Sequence, residues 1–286
     1  MIAALALAFG TFCWLRGVPT DHTQLMGWLL AVELCWNVGQ PAQTHLRFLR
    51  DWLPLLGFLL VYQYSAGYAD RAGMPLHVTG PLNADRTLFG SHVPTVWLQE
   101  HLYSQGHVRW YDVAGSFIYF SHFITAPFLA VVLWLRDRMQ WVAFIRRYVG
   151  LCLAGLSGYA LYPAAPPWWA AAHGYLPAVP RITDRGWQLL GLHTAPPLLE
   201  ALQAPGNPVA AMPSLHAAFA GLVAVFLFPR VRRHWRPLVV AYPLLMGATL
   251  VYFAEHYVTD VIAGWAVLAA VLAVVAAIER RGHTDR

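Results

Sequence analysis

An all-α, polytopic membrane bundle is the fold class this sequence predicts, and three observations carry the prediction. The chain is 58% hydrophobic with 12% charged residues. Its apolar runs repeatedly approach the roughly 20 residues a helix needs to cross a hydrocarbon layer of about 30 Å. Its basic residues cluster at alternate ends of those runs. A length of 286 residues, without a long polar stretch or low-complexity segment, leaves no room for a separate soluble domain. The expected organisation is a single domain, with N-terminal membrane segments over residues 1–46 and a six-helix core over residues 47–286.

Two short apolar stretches come first, Ile2 to Leu15 and Leu25 to Val38. They are expected to add one or two membrane segments, as crossings or as a hairpin that does not fully span. No basic stretch precedes Ile2, which favours a membrane segment over a cleaved signal peptide. Six segments then read as spanning helices: Trp52 to Tyr68, Val113 to Leu135, Phe144 to Tyr162, Pro208 to Phe228, Pro237 to Ala254 and Tyr257 to Ile278. Between the first two, Ala69 to Tyr111 mixes apolar residues with Pro75, Pro81 and Pro94; it is too broken to span and is expected along the interface. After the third comes YPAAPPWWAA, where consecutive prolines are expected to forbid a regular helix and Trp168 and Trp169 suit the headgroup layer. That loop is expected to rim a lipid-entry site.

The formal charge of +5 comes from 19 basic residues, all arginine, so a phosphate-binding cation must be Arg or protonated His. The arginines lie in short loops rather than on one clustered face, which argues against nucleic-acid binding. Arg47 and Arg50, Arg136 to Arg147, Arg230 to Arg236, and Arg280 to Arg286 mark one side as cytoplasmic, the C-terminus included. The segments 69–112 and 164–207 then lie outside, and the expected location is a bacterial plasma membrane. Cys13, Cys35 and Cys152 lack paired spacing and read as free thiols.

Two short strings carry chemistry. AMPSLHAAF holds Ser214 and His216, and EHYVTDVIAG holds His256 and Asp260, each at the start of an apolar stretch on the expected outer side. His256 and Asp260 stand at i and i+4, so a helix would put them on one face, where a carboxylate can orient an imidazole for attack on phosphorus. His216 is placed to move the proton. Pro213 suits the first turn of a helix, leaving the Ser214 hydroxyl and nearby backbone amides to hold phosphate oxygens. Lesser candidates for substrate or phosphate binding are Arg86 with Asp85, His122, Tyr162 and Trp168, each of which also has a purely structural reading as an ion pair, a packed ring or an aromatic belt. Glu255 reads as a turn residue. No metal or other cofactor is expected.

These residues resemble the phosphatidic acid phosphatase type 2 superfamily, whose motifs include Pro-Ser-x-His and His-x-x-x-Asp. Leu215 within the first motif, the run from His256 to Asp260, the stretch from Tyr162 to Trp168, and the segment Asp85 to Gly90 followed by Pro94 and Trp97 to Gln99 are similar to the inositol phosphorylceramide synthase branch. The resemblance implies a six-helix catalytic core and headgroup transfer between lipids through a phosphohistidine. The phosphatase pattern is broken at two cationic positions. A chain without Lys cannot hold the superfamily's first motif, and Leu250 stands where phosphatases place an Arg six residues before the nucleophile. A phosphodiester carries one charge fewer than a monoester, so the missing cations favour a diester donor.

The expected partners are therefore a phospholipid donor, a lipid or alcohol acceptor and the bilayer itself, with no nucleic acid. A lipid-phosphate phosphatase of the same superfamily is the alternative. A haem- or metal-binding membrane protein, suggested by 13 histidines, and a lipid carrier are the readings from other classes. Neither explains why the four motif residues occur together.

Overall fold

The computed structural model describes residues 2–16, 28, 31–35, 37–68, 73–189 and 207–284. The described residues are helical, with no strand among them; single parallel bridges join His77 to Ala164 and Ala164 to Ala210. In chain order the helices are α1 (Ile2–Arg16), α2 (Ala42–Tyr68), α3 (Thr79–Leu88), α4 (Pro94–Leu102), α5 (Trp110–Arg136), α6 (Arg138–Leu161), α7 (Pro167–Ala172), α8 (Arg185–Leu189), α9 (Leu215–Leu227), α10 (Arg236–Tyr252) and α11 (Val258–Thr284). The chain divides into two compact units, residues 1–65 with 194–206, and residues 66–193 with 207–286.

In the first unit, Glu33 accepts from Asn37 and meets His45 Nδ1 at 3.0 Å, while Phe48 and Trp52 stack along α2. Most of the expected segment Leu25 to Val38 lies outside the described residues.

The second unit holds the motif residues. Helix α9 is strongly apolar, and most of its side chains from Leu215 to Phe226 are buried, as a helix with neighbours on several sides requires. It packs against α5, α6, α10 and α11. Helices α5 and α11, as Trp110–Arg136 and Val258–Arg281, are long and apolar enough to cross a membrane, with mean hydropathies of 1.8 and 2.7. Both turn large apolar side chains outward, Phe128 on α5 and Ile278 on α11 each being 65% exposed. Leu215–Leu227 is apolar but shorter. All six segments expected to span contain a helix.

The boundaries differ from expectation where a proline or a cap intervenes. Helix α9 begins at Leu215 rather than Pro208, because Ser214 is its N-cap, accepting from Ala217 N through its side chain. Pro213 therefore lies outside the helix rather than in its first turn. A short helix, α7, does form in the proline-rich loop: it starts at Pro167, where a missing N–H costs nothing. The segment expected along the interface forms α3 and α4, and Leu82 of α3 and Val93 pack with Ala165, Ala170, Leu176 and Tyr257.

Candidate active site

The turn between α10 and α11 fixes the first motif residue. Ala254 adopts a left-handed φ of 63° and bonds back to Val251, while Glu255 N bonds to Leu250 O at 2.9 Å. This pairing closes the end of α10 and ejects the chain toward α11, normally with glycine at the left-handed position. His256 follows immediately and is just outside α11, which begins at Val258. The expectation of two residues on one helical face is corrected to one residue before the helix and one in its first turn. The contact survives, with His256 Nδ1 3.6 Å from Asp260 Oδ2. Asp260 also accepts from Tyr257 N at 2.9 Å, so the same carboxylate closes the helix start and faces the imidazole.

Two backbone contacts tie this turn to α9. Ser214 N donates to Asp260 O at 3.0 Å, and a Cβ at Gly264 would stand 2.2 Å from Ser214 O. Glycine is needed there because the two main chains touch. His216, in the first turn of α9, consequently lies with its ring centroid 5.8 Å from that of His256. His256 is buried and His216 partly buried, and His216 Nε2, His256 Nδ1 and Asp260 Oδ1 have no hydrogen-bond partner among the described residues. His122 joins them from α5, its ring 4.0 Å from His216, and Tyr119 stacks on the same imidazole at 5.3 Å.

The remaining sequence candidates separate into different places. Ser214 is fully buried, and its hydroxyl accepts from Ala217 N at 3.4 Å, keeping its own proton to donate. Asp85 is buried and accepts from Val258 N at 3.0 Å and Thr259 N at 2.9 Å, so it caps α11 from α3. Burial holds its carboxyl above the ordinary value against the pull of those amides. Arg86 is exposed on α3. Tyr162 stacks on His77 at 3.9 Å, and Trp168 bonds through its backbone N to Ala254 O at 3.1 Å, docking the proline-rich loop on the turn that leads to His256.

One residue absent from the sequence reading is Arg181. It pairs with both carboxylate oxygens of Glu255, Nε to Oε1 and Nη2 to Oε2, the latter at 3.2 Å. It also hydrogen-bonds the Tyr119 hydroxyl and lies 5.4 Å above the Trp168 ring. Burial opposes its charge, but Glu255 outweighs that and drives its pKa above the ordinary value. Its segment is fixed on both sides. Gln99 Nε2 holds Pro180 O at 2.9 Å and Tyr252 O at 2.8 Å, Ser116 bonds Thr183 O, and Arg185 pairs with buried Asp112 at 3.1 Å. A lone Arg in a long loop gives no periodic or motif signal; its placement depends on contacts made far along the chain.

Among the described residues, no group of three or more His, Cys, Asp or Glu is arranged to hold a metal ion. The geometry offers an oriented imidazole, a second imidazole across a short gap, a helix N-terminus beside them and a guanidinium at the edge. Residues 83–274 match the model of the PAP2 superfamily. The chain belongs to the PAP2 superfamily. It is 26% identical over 224 residues to phosphoinositol dihydroceramide synthase of Bacteroides thetaiotaomicron, an alignment covering 74% of this chain and 71% of that one. It is also 26% identical over 229 residues to the catalytic subunit of inositol phosphorylceramide synthase of Saccharomyces cerevisiae, covering 76% of this chain and 54% of the yeast protein. No solved structure matches it. This PAP2 protein is accordingly an enzyme of the phosphotransferase or lipid phosphatase kind.

Proposed function

We propose that the chain is an integral membrane phosphotransferase that moves an inositol phosphate-like headgroup from a phospholipid to a lipid or alcohol hydroxyl. The observation that carries the reading is the set of His256 facing Asp260 at 3.6 Å with His216 opposite, joined to relatives whose names describe inositol phosphoryl transfer to ceramides. With Nδ1 turned to Asp260, Nε2 of His256 is the atom left to attack. A bond forms between that nitrogen and the donor's phosphorus as the bond to the lipid alcohol breaks, and protonated His216 gives its proton to the departing alkoxide. Asp260 steadies the positive charge growing on His256. In the second half, the acceptor hydroxyl attacks phosphorus, its proton passes to His216, and the nitrogen–phosphorus bond breaks.

Ser214 and the first amides of α9, which lack intrahelical acceptors, are suited to the phosphate oxygens. No metal enters the scheme, so chelation with EDTA should leave the rate unchanged. The six helices of residues 47–286 read as crossings with the site at the outer face of a bacterial plasma membrane and the C-terminus in the cytoplasm, in line with the arginine-rich helix ends.

The test is purified protein in lipid with headgroup-labelled phosphatidylinositol, with and without ceramide or diacylglycerol, beside His256→Ala. A labelled lipid of new mobility, lost in the variant, is the expected result. Water-soluble inositol phosphate or free phosphate alone would replace the reading by the lipid phosphatase alternative, and label that stays in the donor would remove the inositol assignment.

A further inference from the structure

The nucleophile's turn carries an acid that the mechanism above does not use. Glu255 immediately precedes His256, its side chain is 9% exposed, and Arg181 meets both of its oxygens. A structural reading would make the pair an anchor for the loop. That loop is already held by Gln99 on one side of Arg181 and by Ser116 and Asp112 on the other. The Arg181 side chain is 37% exposed, so an incoming ligand can reach it. It also shares Tyr119 with His216, the guanidinium through a hydrogen bond and the imidazole through ring stacking. Arg185, four residues on, is committed to Asp112 and to the carbonyls of Ser104 and His107.

We propose that Arg181 is the phosphate-binding cation of this site and that Glu255 sets its selectivity, favouring a phosphodiester monoanion over a phosphomonoester dianion. The inference rests on the headgroup-transfer reading and names what in this chain enforces it. A guanidinium presents its donors in one planar fork, and the fork that grips Glu255 must turn at least one arm to the phosphate. Glu255 then remains beside the bound anion. Around the nucleophile, Asp260 and Glu255 carry two negative charges against the positive charges of Arg181 and protonated His216, so Glu255 offsets part of the charge that would otherwise draw a dianion. A diester adds one further negative charge to that set, whereas a monoester adds up to two and meets the repulsion twice over. Glu255 thus acts through Arg181 and through the field, as a positioning and selectivity residue, while Arg181 touches the substrate.

The experiment uses the full chain in vesicles with two donors, labelled phosphatidylinositol plus ceramide and labelled phosphatidate, and the variants Glu255→Gln, Arg181→Gln and Arg181→Lys. Glu255→Gln should raise the ratio of phosphatidate to phosphatidylinositol turnover about tenfold, by removing a like charge from the site. This ratio is independent of how much of each preparation is folded. Arg181→Gln should lower kcat/KM for both donors about a hundredfold, with partial return in Arg181→Lys. Binding of inorganic phosphate gives a readout without turnover: Glu255→Gln should bind it more tightly than the parent, increasingly so as rising pH gives the ligand its second charge. An unchanged donor ratio in Glu255→Gln, or full activity in Arg181→Gln, overturns the proposal. A parent protein that prefers phosphatidate defeats the transfer reading instead; the pair's role then stands if Glu255→Gln still raises the ratio and falls if it does not.

Discussion

The two ends of the helices in the unit formed by residues 66–193 and 207–286 handle charge in opposite ways. At the end where α6 begins and α11 finishes, Arg146 and Arg147 meet Glu279 at 3.2 and 2.8 Å, with Arg146 and Glu279 partly open to solvent. Arg230 reaches Gln140 nearby. These are side chains paired with side chains, in contacts that solvent weakens. At the other end, beside the Arg181–Glu255 and Arg185–Asp112 pairs, three buried carboxylates also bind main chain: Asp85 on Val258 and Thr259, Asp260 on Tyr257, and Asp112 on Arg109 N at 2.8 Å. A buried carboxylate costs several kcal/mol unless it is hydrogen-bonded, and each of these puts at least one oxygen on a backbone amide at a helix start, fixing that start to within a hydrogen bond's tolerance. One end carries pairs that solvent weakens. The other is built for position, and that is where the histidines sit.

The contrast can be broken most severely at His256. His256→Ala should lower transfer roughly 10⁶-fold while the protein keeps its helical circular dichroism, because nucleophile and proton carrier act as a unit; residual activity near the parent's would end the assignment. Asp260→Asn comes next. It keeps the shape but can present an amide N–H to the imidazole, and a rate loss of roughly 10⁴-fold is expected if the carboxylate selects the tautomer, as in serine hydrolase triads. Stopped-flow measurement of the first half-reaction would show whether the loss lies in phosphohistidine formation.

Asp85→Ala sharpens the comparison at intermediate size. Loss of a two-amide cap should cost about 1 to 2 kcal/mol in unfolding and lower activity by misplacing the start of α11, with partial recovery in Asp85→Asn. Asp85 also predicts a pH effect. Its carboxyl titrates above the ordinary value, so the native state holds that proton more tightly than the unfolded chain. Its contribution to stability is therefore full in acid and declines as pH rises through the raised value. Thermal unfolding across pH should show that slope in the parent and not in Asp85→Asn. The smallest effect is expected at the opposite end, where Arg147→Ala should change stability by less than about 1 kcal/mol and the change should shrink in high salt.

The residues of this candidate site were legible in the sequence, because Ser214, His216, His256 and Asp260 lie in two short strings with recognisable spacing. Their convergence followed from placing both strings at the same end of apolar stretches. Asp85 was read with Arg86, its chain neighbour, whereas its partners are 173 and 174 residues away. Arg181 escaped for the same reason, since its acid lies 74 residues on and neither residue belongs to a repeating pattern. That each apolar segment holds a helix was legible from hydropathy and the helix bounds were not; α9 starts at Leu215 because the Ser214 side chain caps it, a hydrogen bond that apolarity does not reveal.

The absent side chain at Gly264 has a mechanical consequence. Helices in a bilayer tilt and slide as lipid thickness and lateral pressure vary. Where α9 and α11 meet, main chain rests against main chain and Ser214 N is bonded to Asp260 O, so such movements carry both motif strings together. The gap between the two imidazoles should therefore vary little with the surrounding lipid, and Gly264→Ala should lengthen it by pushing Ser214 and the start of α9 away.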